Sequence, residues 1–193
     1  MFVSSPHLTI TLYVYAAQDV RHCLLTELLL VGDVSLSLLL VSKGASDCLD
    51  ADGISAITHA SFLGMPTVVS AMLSQSSGGK FGLHATNSEG ITPLIAAASE
   101  GHFDVVRALL QSDLNLAAVR AAETGAGGSS GGGKGGTVDV CDKDGTSALM
   151  AAAVRGFGST VEVLVAGGAD VNLQNLDGHT ALMFAVAIYY SGI

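Results

Sequence analysis

The sequence predicts an all-α protein in which pairs of helices stack side by side into an elongated helical solenoid. Three observations predict this fold. A glycine-centred pattern repeats along the chain, the apolar residues within each repeat recur at helical spacing, and the composition combines 49% hydrophobic residues and 24 glycines with no tryptophan. Such a composition favours helices packed closely through small side chains over a sheet sandwich anchored by aromatic residues.

The repeat is defined by anchor glycines and by the residues at fixed distances after them. Hydroxyl residues stand two positions later, aliphatic residues four and alanines seven, and after the first three anchors a second glycine stands eleven positions later. Column by column, the residues are Gly53, Gly90, Gly145 and Gly178; Ser55, Thr92, Ser147 and Thr180; Ile57, Leu94, Leu149 and Leu182; Ala60, Ala97, Ala152 and Ala185; and Gly64, Gly101 and Gly156. Agreement across so many independent columns indicates an internal repeat.

Each column has a role in a first helix. The hydroxyl can accept a backbone N–H bond and so begin the helix, and Pro93 follows the cap Thr92 at a position where its missing N–H costs nothing. The aliphatic and alanine columns share one face, where the small alanine lets a neighbouring helix approach. The second glycine is expected to end the helix in the left-handed conformation.

A second helix is expected in each unit, because apolar pairs recur four residues apart after the second glycine. These residues are Val68, Val69, Met72 and Leu73; Val105, Val106, Leu109 and Leu110; and, after the polar exception Thr160, Val161, Leu164 and Val165. The same template extends backwards to about Arg21, with Gly32 ending a helix and with Leu36, Leu40 and Val41 as the stripe. Residues from about Arg21 therefore form a degenerate first unit.

This pattern resembles the ankyrin repeat, whose motif runs as a turn with D-x-x-G-x-T-P-L-H-x-A, two antiparallel helices and a G-A-D-V-N return. The best copies are NSEGITPLIAAASEGHFDVVRALL (87–110), DKDGTSALMAAAVRGF (142–157) and GGADVNLQNLDGHTALMFA (167–185). Gly145 and Gly178 are 33 residues apart, the ankyrin period. The resemblance implies an ankyrin-type helical solenoid of about four helix-pair repeats plus a truncated fifth.

The sequence departs from the family pattern in two ways, one of which concerns stability and the other the connections between units. The histidine of the family's T-P-L-H is replaced by Thr58, Ile95, Met150 and Met183, so the bond that this histidine usually makes between units is expected to be absent and stability to be lower. Extra residues also follow two of the second helices, at 77–80 and in a longer insert before Gly145. A solenoid tolerates insertions there, because loop closure costs little more as a loop lengthens.

These spacings predict one repeat domain over residues 21–193, preceded by an N-terminal extension over 1–20. The predicted repeats are 21–52, 53–89, 90–144 with a Gly-rich insert over 118–137, 145–177, and a partial unit over 178–193. The last unit stops before any second helix, which leaves an apolar face without a neighbour.

Two apolar stretches raise the question of targeting or membrane insertion. Leu8 to Ala17 is as long as a signal-peptide core, but no basic residue precedes it and its alternation favours a half-buried strand. Leu24 to Val41 approaches the length of a membrane span, but it contains Glu27 and Asp33 and is divided by Gly32. Two short helices are the preferred interpretation.

The Gly-rich stretch Thr124 to Thr137 contains Gly128, Gly133 and Lys134 at the spacing of a phosphate-binding loop. Gly135 stands where that motif needs a hydroxyl, and no strand and helix are indicated on either side. A flexible linker is therefore favoured over nucleotide binding at Lys134, and no cofactor is expected.

Composition and charge limit the partners. The formal net charge of −9 repels phosphate backbones and anionic lipids, so neither nucleic acid nor membrane is expected to bind.

Cys23, Cys48 and Cys141 show no paired spacing, which predicts free thiols and a cytoplasmic location. Six histidines show no metal-ligand spacing, and His102 is expected to be a turn residue. No catalytic signature is found, so neither an enzyme nor a metal site is predicted.

The resemblance implies that an ankyrin-type array binds another protein through its turn tips and the exposed side of its first helices, and the expected form is a monomer. The corresponding tip residues are Asp52, Ile54, Glu89, Ile91, Lys143, Asp144, Thr146, Leu176, Asp177 and His179. Four carboxylates recur at one level of the stack and would suit a basic segment of the partner, although an acidic residue before glycine is also ordinary turn chemistry. Ile54, Ile91 and Leu176 predict apolar contacts, unless they pack against neighbouring turns.

The predicted function is therefore a non-catalytic scaffold or protein-interaction module. The alternative is that the array is the regulatory ankyrin part of a larger enzyme or of a ubiquitin-ligase-type adaptor. Fold alone does not decide between them.

Overall fold

The computed structural model of the protein describes residues 24–45, 47, 49–50, 52–75, 82, 85–112 and 136–191. The predictions for Leu8 to Ala17, for Cys23 and Cys48, and for the insert as far as Gly135, including Lys134, lie outside the described residues.

The described part of the chain contains nine α-helices. They are α1 (Leu24–Val31), α2 (Val34–Ser42), α3 (Ala56–Phe62), α4 (Pro66–Ser74), α5 (Pro93–Ser99), α6 (103–112), α7 (Ala148–Val154), α8 (Gly158–Ala166) and α9 (Ala181–Ser191). A short 3₁₀ turn, Gly136–Asp139, lies between α6 and α7. The expected all-α fold is confirmed.

The first helices begin at the predicted hydroxyl residues. The side chains of Ser55, Thr92 and Ser147 accept the N–H of the residue three positions on, at 3.3, 3.2 and 3.4 Å, and Pro93 follows its cap as predicted. These bonds satisfy one of the N–H groups that a helix start leaves without an intrahelical partner.

The first helices end at the predicted glycines. Gly64, Gly101 and Gly156 have φ of 67°, 77° and 73°, and Gly32 has the same left-handed backbone at the end of α1. This conformation suits glycine because a Cβ would crowd the following carbonyl. Gly32 thus divides the Leu-rich run into α1 and α2 as expected.

The helices stack in two rows. In the inner row α1, α3, α5, α7 and α9 each contact the next, and in the outer row α2 packs on α4. Within a unit, α1 contacts α2, α3 contacts α4 and α7 contacts α8. Ala60, Ala97 and Ala152 are completely buried in the inner row, where their small side chains permit close helix packing.

The aliphatic column is not buried uniformly. Ile57 and Leu149 are buried and Leu94 is half-buried against the core, but Leu182 is 71% exposed. Leu182 belongs to the last unit, whose apolar face was expected to have no neighbour. The reason for the difference is that a second helix covers α3 and α7, whereas no helix among the described residues covers the same face of α9.

The helices of the described part of the chain are short. The longest, Ala181–Ser191, has 11 residues, and about 20 are needed to cross a bilayer. No described helix is long and apolar enough to span a membrane.

Candidate functional site

Four tight turns project beside the first helices, and we call them fingers 1 to 4. They comprise residues 50 and 52–54, 87–91, 142–146 and 175–179. In each finger, two backbone hydrogen bonds of 3.0–3.3 Å link the first residue to the last and the glycine to the first residue. The glycine has φ between 76° and 81°, which the turn requires and which L side chains rarely adopt.

An Asp or Asn side chain at the start holds each finger together. Asp50, Asn87, Asp142 and Asn175 each accept the backbone N–H groups two and four residues on; in finger 3, the bonds to Asp142 are 3.0 and 2.8 Å. This Asx arrangement stabilises a turn locally. The predicted tip residues did not include these four, although the first position of the D-x-x-G motif places an Asp or Asn three residues before every anchor glycine.

The acidic residue before each glycine has a different role from the Asx residue. Asp52, Glu89, Asp144 and Asp177 are exposed, and within the described part of the chain their carboxylates make no hydrogen bond or ion pair. They are therefore not the side chains that build the turns. Lys143 adds one ammonium group to the same row of tips.

Fingers 2, 3 and 4 are joined into one edge. The N–H of Lys143 donates to the carbonyl of Glu89 at 3.0 Å, and the N–H of Leu176 donates to the carbonyl of Asp144 at 3.1 Å. A Cβ at Gly145 would lie 2.9 Å from the nitrogen of Leu176, so this glycine is also needed for the close approach of the fingers. Finger 1 makes no such backbone bond to finger 2 among the described residues.

The predicted tip residues differ in exposure. Exposed are Asp52, Glu89, Lys143, Asp144, Leu176, Asp177 and His179, whereas Ile54, Ile91 and Thr146 are half-buried. Ile91 packs against the hydrophobic core. A contact of Ile54 or Ile91 with a partner stays a prediction. Leu176, 79% exposed, is the apolar side chain at the tips that is available for a contact.

A histidine of α3 anchors finger 1. His59 lies with its Nε2 2.6 Å from Oδ2 of Asp50, and its N–H can donate to that carboxylate. Burial acts to raise the pKa of Asp50, but the hydrogen bonds from His59, Ile54 and Asp52 and the charge of His59 outweigh it, and the pKa is lowered overall. Finger 1 is thus held by its own helix rather than by finger 2.

Two further aspartates connect successive units. Oδ2 of Asp47 accepts the N–H of Gly82 at 3.2 Å, and Oδ1 of Asp139 accepts the N–H of Asp170 at 2.9 Å. Burial raises the pKa of Asp47, although backbone bonds, the largest from Gly82, oppose that shift. Both aspartates stand six residues before an anchor glycine, so the sequence contains a signal for them that the predicted columns did not include.

The described residues give little support to metal binding or to a nucleophilic thiol. They contain no group of three or more His, Cys, Asp or Glu side chains that could hold a metal ion. Cys141 is a half-buried free thiol, and burial, followed by the charges of Asp142 and Asp139, raises its pKa. A raised pKa leaves the thiol mostly protonated, which makes it a poor nucleophile.

Comparison with known proteins agrees with the repeat pattern. A family model for ankyrin repeats, in three copies, matches residues 14–118 and 132–190. The B-cell lymphoma 3 protein homolog of Mus musculus is 31% identical over 146 residues, which are 75% of this chain and 28% of that protein. The chain thus spans little more than a quarter of the length of this relative.

Proposed function

Since the chain belongs to the ankyrin repeat family, we propose that it is a non-catalytic protein-interaction module that binds a partner through the tips of its fingers and the exposed side of its first helices. Ankyrin repeats are typically protein–protein interaction modules. The fingers leave side chains at regular intervals along an extended edge, as repeat arrays do when they present a binding surface.

The row of carboxylates is the observation that carries this proposal. Asp52, Glu89, Asp144 and Asp177 are exposed, recur at one level and are not used to build the turns. Backbone bonds between fingers 2, 3 and 4 hold three of them at fixed positions, which lowers the entropy lost on binding. A basic segment of a partner complements such a row, and Leu176 adds an apolar contact beside it.

The energetics favour a charged edge that guides binding together with an apolar contact that retains the partner. An exposed ion pair contributes only about 0.2–1 kcal/mol and is screened by salt. Complementary charge nevertheless raises the rate of encounter and excludes partners of like charge. Full burial of one leucine contributes about 1.5–3 kcal/mol, so Leu176 is the expected energetic centre of the contact.

Capture of partners from lysate by the full chain tests the proposal. The finger variant carries Asp144→Lys and Asp177→Lys, and a control carries Asp104→Lys and Glu162→Lys, which change the net charge equally at exposed positions of α6 and α8. The finger variant is expected to lose the partner and the control to retain it. Equal capture by the natural chain and by the finger variant would exclude the acidic edge as the binding surface.

The proposed location is the reducing cytoplasm. Three cysteines without paired spacing support it, since disulfides persist mainly in oxidising compartments. The alternative function, as the regulatory ankyrin part of a larger enzyme or of a ubiquitin-ligase-type adaptor, stays a hypothesis. It predicts that the captured assembly contains a catalytic activity that depends on this chain.

A further inference from the structure

Four positions of the repeat are buried in each later helix pair but only half-buried in the first. They stand eight and four residues before the glycine that ends the first helix, and four and eight residues after it. In the later pairs the residues are Ala56, Ala60, Val68 and Met72; Pro93, Ala97, Val105 and Leu109; and Ala148, Ala152, Thr160 and Leu164. In the first pair all four are leucine, and we call Leu24, Leu28, Leu36 and Leu40 the leucine face.

The leucine face lies on the side of α1 and α2 where a preceding unit would pack. The opposite side of these helices joins the core, where Leu25, Leu29 and Val41 are at most 1% exposed and where α1 contacts α3 and α2 contacts α4. Each later unit has a neighbour before it, and its four positions are buried. No unit precedes the first among the described residues, so the exposure of the leucine face follows from its place at the start of the stack.

The size of the leucines indicates what kind of element can cover the face. In α3 and α7 the two inner-row positions are alanines, which let successive first helices approach closely. Leu24 and Leu28 are larger, and the distance between helix axes, about 8–10 Å, depends on the side chains at the contact. A further first helix at the spacing of the stack would overpack these leucines. The face therefore suits a covering element other than another repeat.

The chain supplies an apolar segment directly before α1. In residues 8–17, LTITLYVYAA, apolar residues alternate with Thr and Tyr, and none of the ten is charged. This alternation is typical of a strand with one side buried. The six residues from Gln18 to Cys23 can span about 20 Å when extended, which exceeds the length of about 12 Å of the eight-residue helix α1. The segment can therefore reach the whole leucine face.

We propose that residues 8–17 dock in an extended conformation on the leucine face and cap the first unit of the array. The apolar row of the segment packs on the leucines, and its Thr and Tyr side chains remain in water; this row consists of Leu8, Ile10, Leu12 and Val14. A repeat array needs such a cap, because a terminal unit otherwise leaves an apolar face in water. The cap closes this end of the stack to other proteins and opposes pairing of two copies through the leucine face.

Nuclear Overhauser effects between methyl groups of the full chain test this contact. Ile10 precedes every other isoleucine by more than 40 residues in the sequence, so its methyl signal identifies the segment. We expect contacts from the Ile10 methyl to methyls of Leu24, Leu28 or Leu36, and Ile57, which is completely buried in the core, is the internal control. Contacts of Ile57 without any contact from Ile10 to these leucines would overturn the proposal. Contacts of Ile10 that arise only between two copies in a mixed-label sample would also overturn it.

Paired substitutions in the full chain separate the two rows of the segment. Ile10→Lys with Leu12→Lys places two charges in the apolar row, and Thr9→Lys with Thr11→Lys adds the same charge to the polar row. The first pair is expected to lower the urea midpoint of unfolding by roughly 0.5–1 M, because two apolar side chains lose their burial. The second pair should leave the midpoint nearly unchanged. Equal midpoints for the two variants would show that the apolar row is not buried on the leucine face.

Discussion

His102 donates a hydrogen bond from its Nε2 to the carbonyl oxygen of Phe62, at 3.0 Å, and so joins the unit of α5 and α6 to the unit before it. Its ring lies against Gly64, where an added Cβ would be 2.5 Å from the imidazole. Phe157 has the same relation to Gly101 one unit later. The histidine is a structural residue at a turn, as the sequence predicted, and it also connects two units by a bond that the sequence did not reveal.

Replacement of His102 by alanine is expected to destabilise the fold by about 1–2 kcal/mol, from the lost hydrogen bond and the lost packing on Gly64. His179→Ala is the matched control, since His179 is exposed and its ring makes a T-shaped contact with the ring of Phe184. Urea unfolding monitored by circular dichroism measures both. Equal unfolding midpoints for the two variants would show that the hydrogen bond of His102 does not contribute to stability.

Replacement of Gly145 by alanine is expected to be more destabilising than the same change at Gly178. Both glycines have positive φ, so each substitution costs about 1–2 kcal/mol of backbone strain. At Gly145 the new Cβ also meets the backbone of Leu176 at 2.9 Å, whereas at Gly178 nothing lies within 4 Å. The difference between the unfolding midpoints of the two variants measures the destabilisation caused by the close contact between fingers 3 and 4. Identical midpoints would show that this contact does not affect stability.

Replacement of Thr160 by valine is expected to stabilise the protein by about 1 kcal/mol. The hydroxyl of Thr160 is buried and has no hydrogen-bond partner among the described residues, and burying an unpaired hydroxyl lowers the stability of the fold. The equivalent residues Val68 and Val105 are apolar. Ser159→Val, at the exposed neighbouring position, is the control and should leave stability nearly unchanged. A lower melting temperature for Thr160→Val would mean that the hydroxyl has a partner.

Replacement of Asp50 by asparagine is expected to remove a pH-dependent part of the stability. Burial raises the pKa of Asp50, but the bond from His59 and the backbone bonds lower it overall, so its ionised form stabilises the fold above the pKa of the unfolded chain, about 4. This stabilisation is lost as pH falls through the lower folded value. Asparagine occupies the same position in fingers 2 and 4, so the turn itself should persist.

Unfolding of the natural chain and of Asp50→Asn, at pH 6 and near pH 3, checks this prediction. The natural chain should be the more stable at pH 6, and the difference should shrink at the lower pH. A difference of equal size at both pH values would show that the charge of Asp50 is not the cause.

The sequence was sufficient for the features that depend on local residue chemistry. The caps Ser55, Thr92 and Ser147 and the helix ends Gly64, Gly101 and Gly156 lie where the repeat columns predicted. Caps and left-handed glycines are decided within a few residues, so an alignment of the chain with itself reveals them.

The features that the repeat columns alone do not decide depend on neighbouring units. Leu149 and Leu182 occupy the same column, yet one is buried and the other exposed, because burial is decided by the helix that lies over them. Ile91 stands at a predicted tip, but it is half-buried and packs against the core. The bond from Lys143 to Glu89 joins residues on opposite sides of the insert, and spacing alone does not reveal it.

Amide hydrogen exchange at Lys143 and Leu176 tests most directly whether fingers 2, 3 and 4 form one continuous edge. Both N–H groups donate to the preceding finger, whereas the N–H of Asp144 is held within its own finger by Asp142. A continuous edge predicts that Lys143 and Leu176 exchange slowly, at rates close to those of the amides of α7. Exchange of both at unprotected rates, with Asp144 and α7 still protected, would contradict the continuous edge and the binding surface built on it.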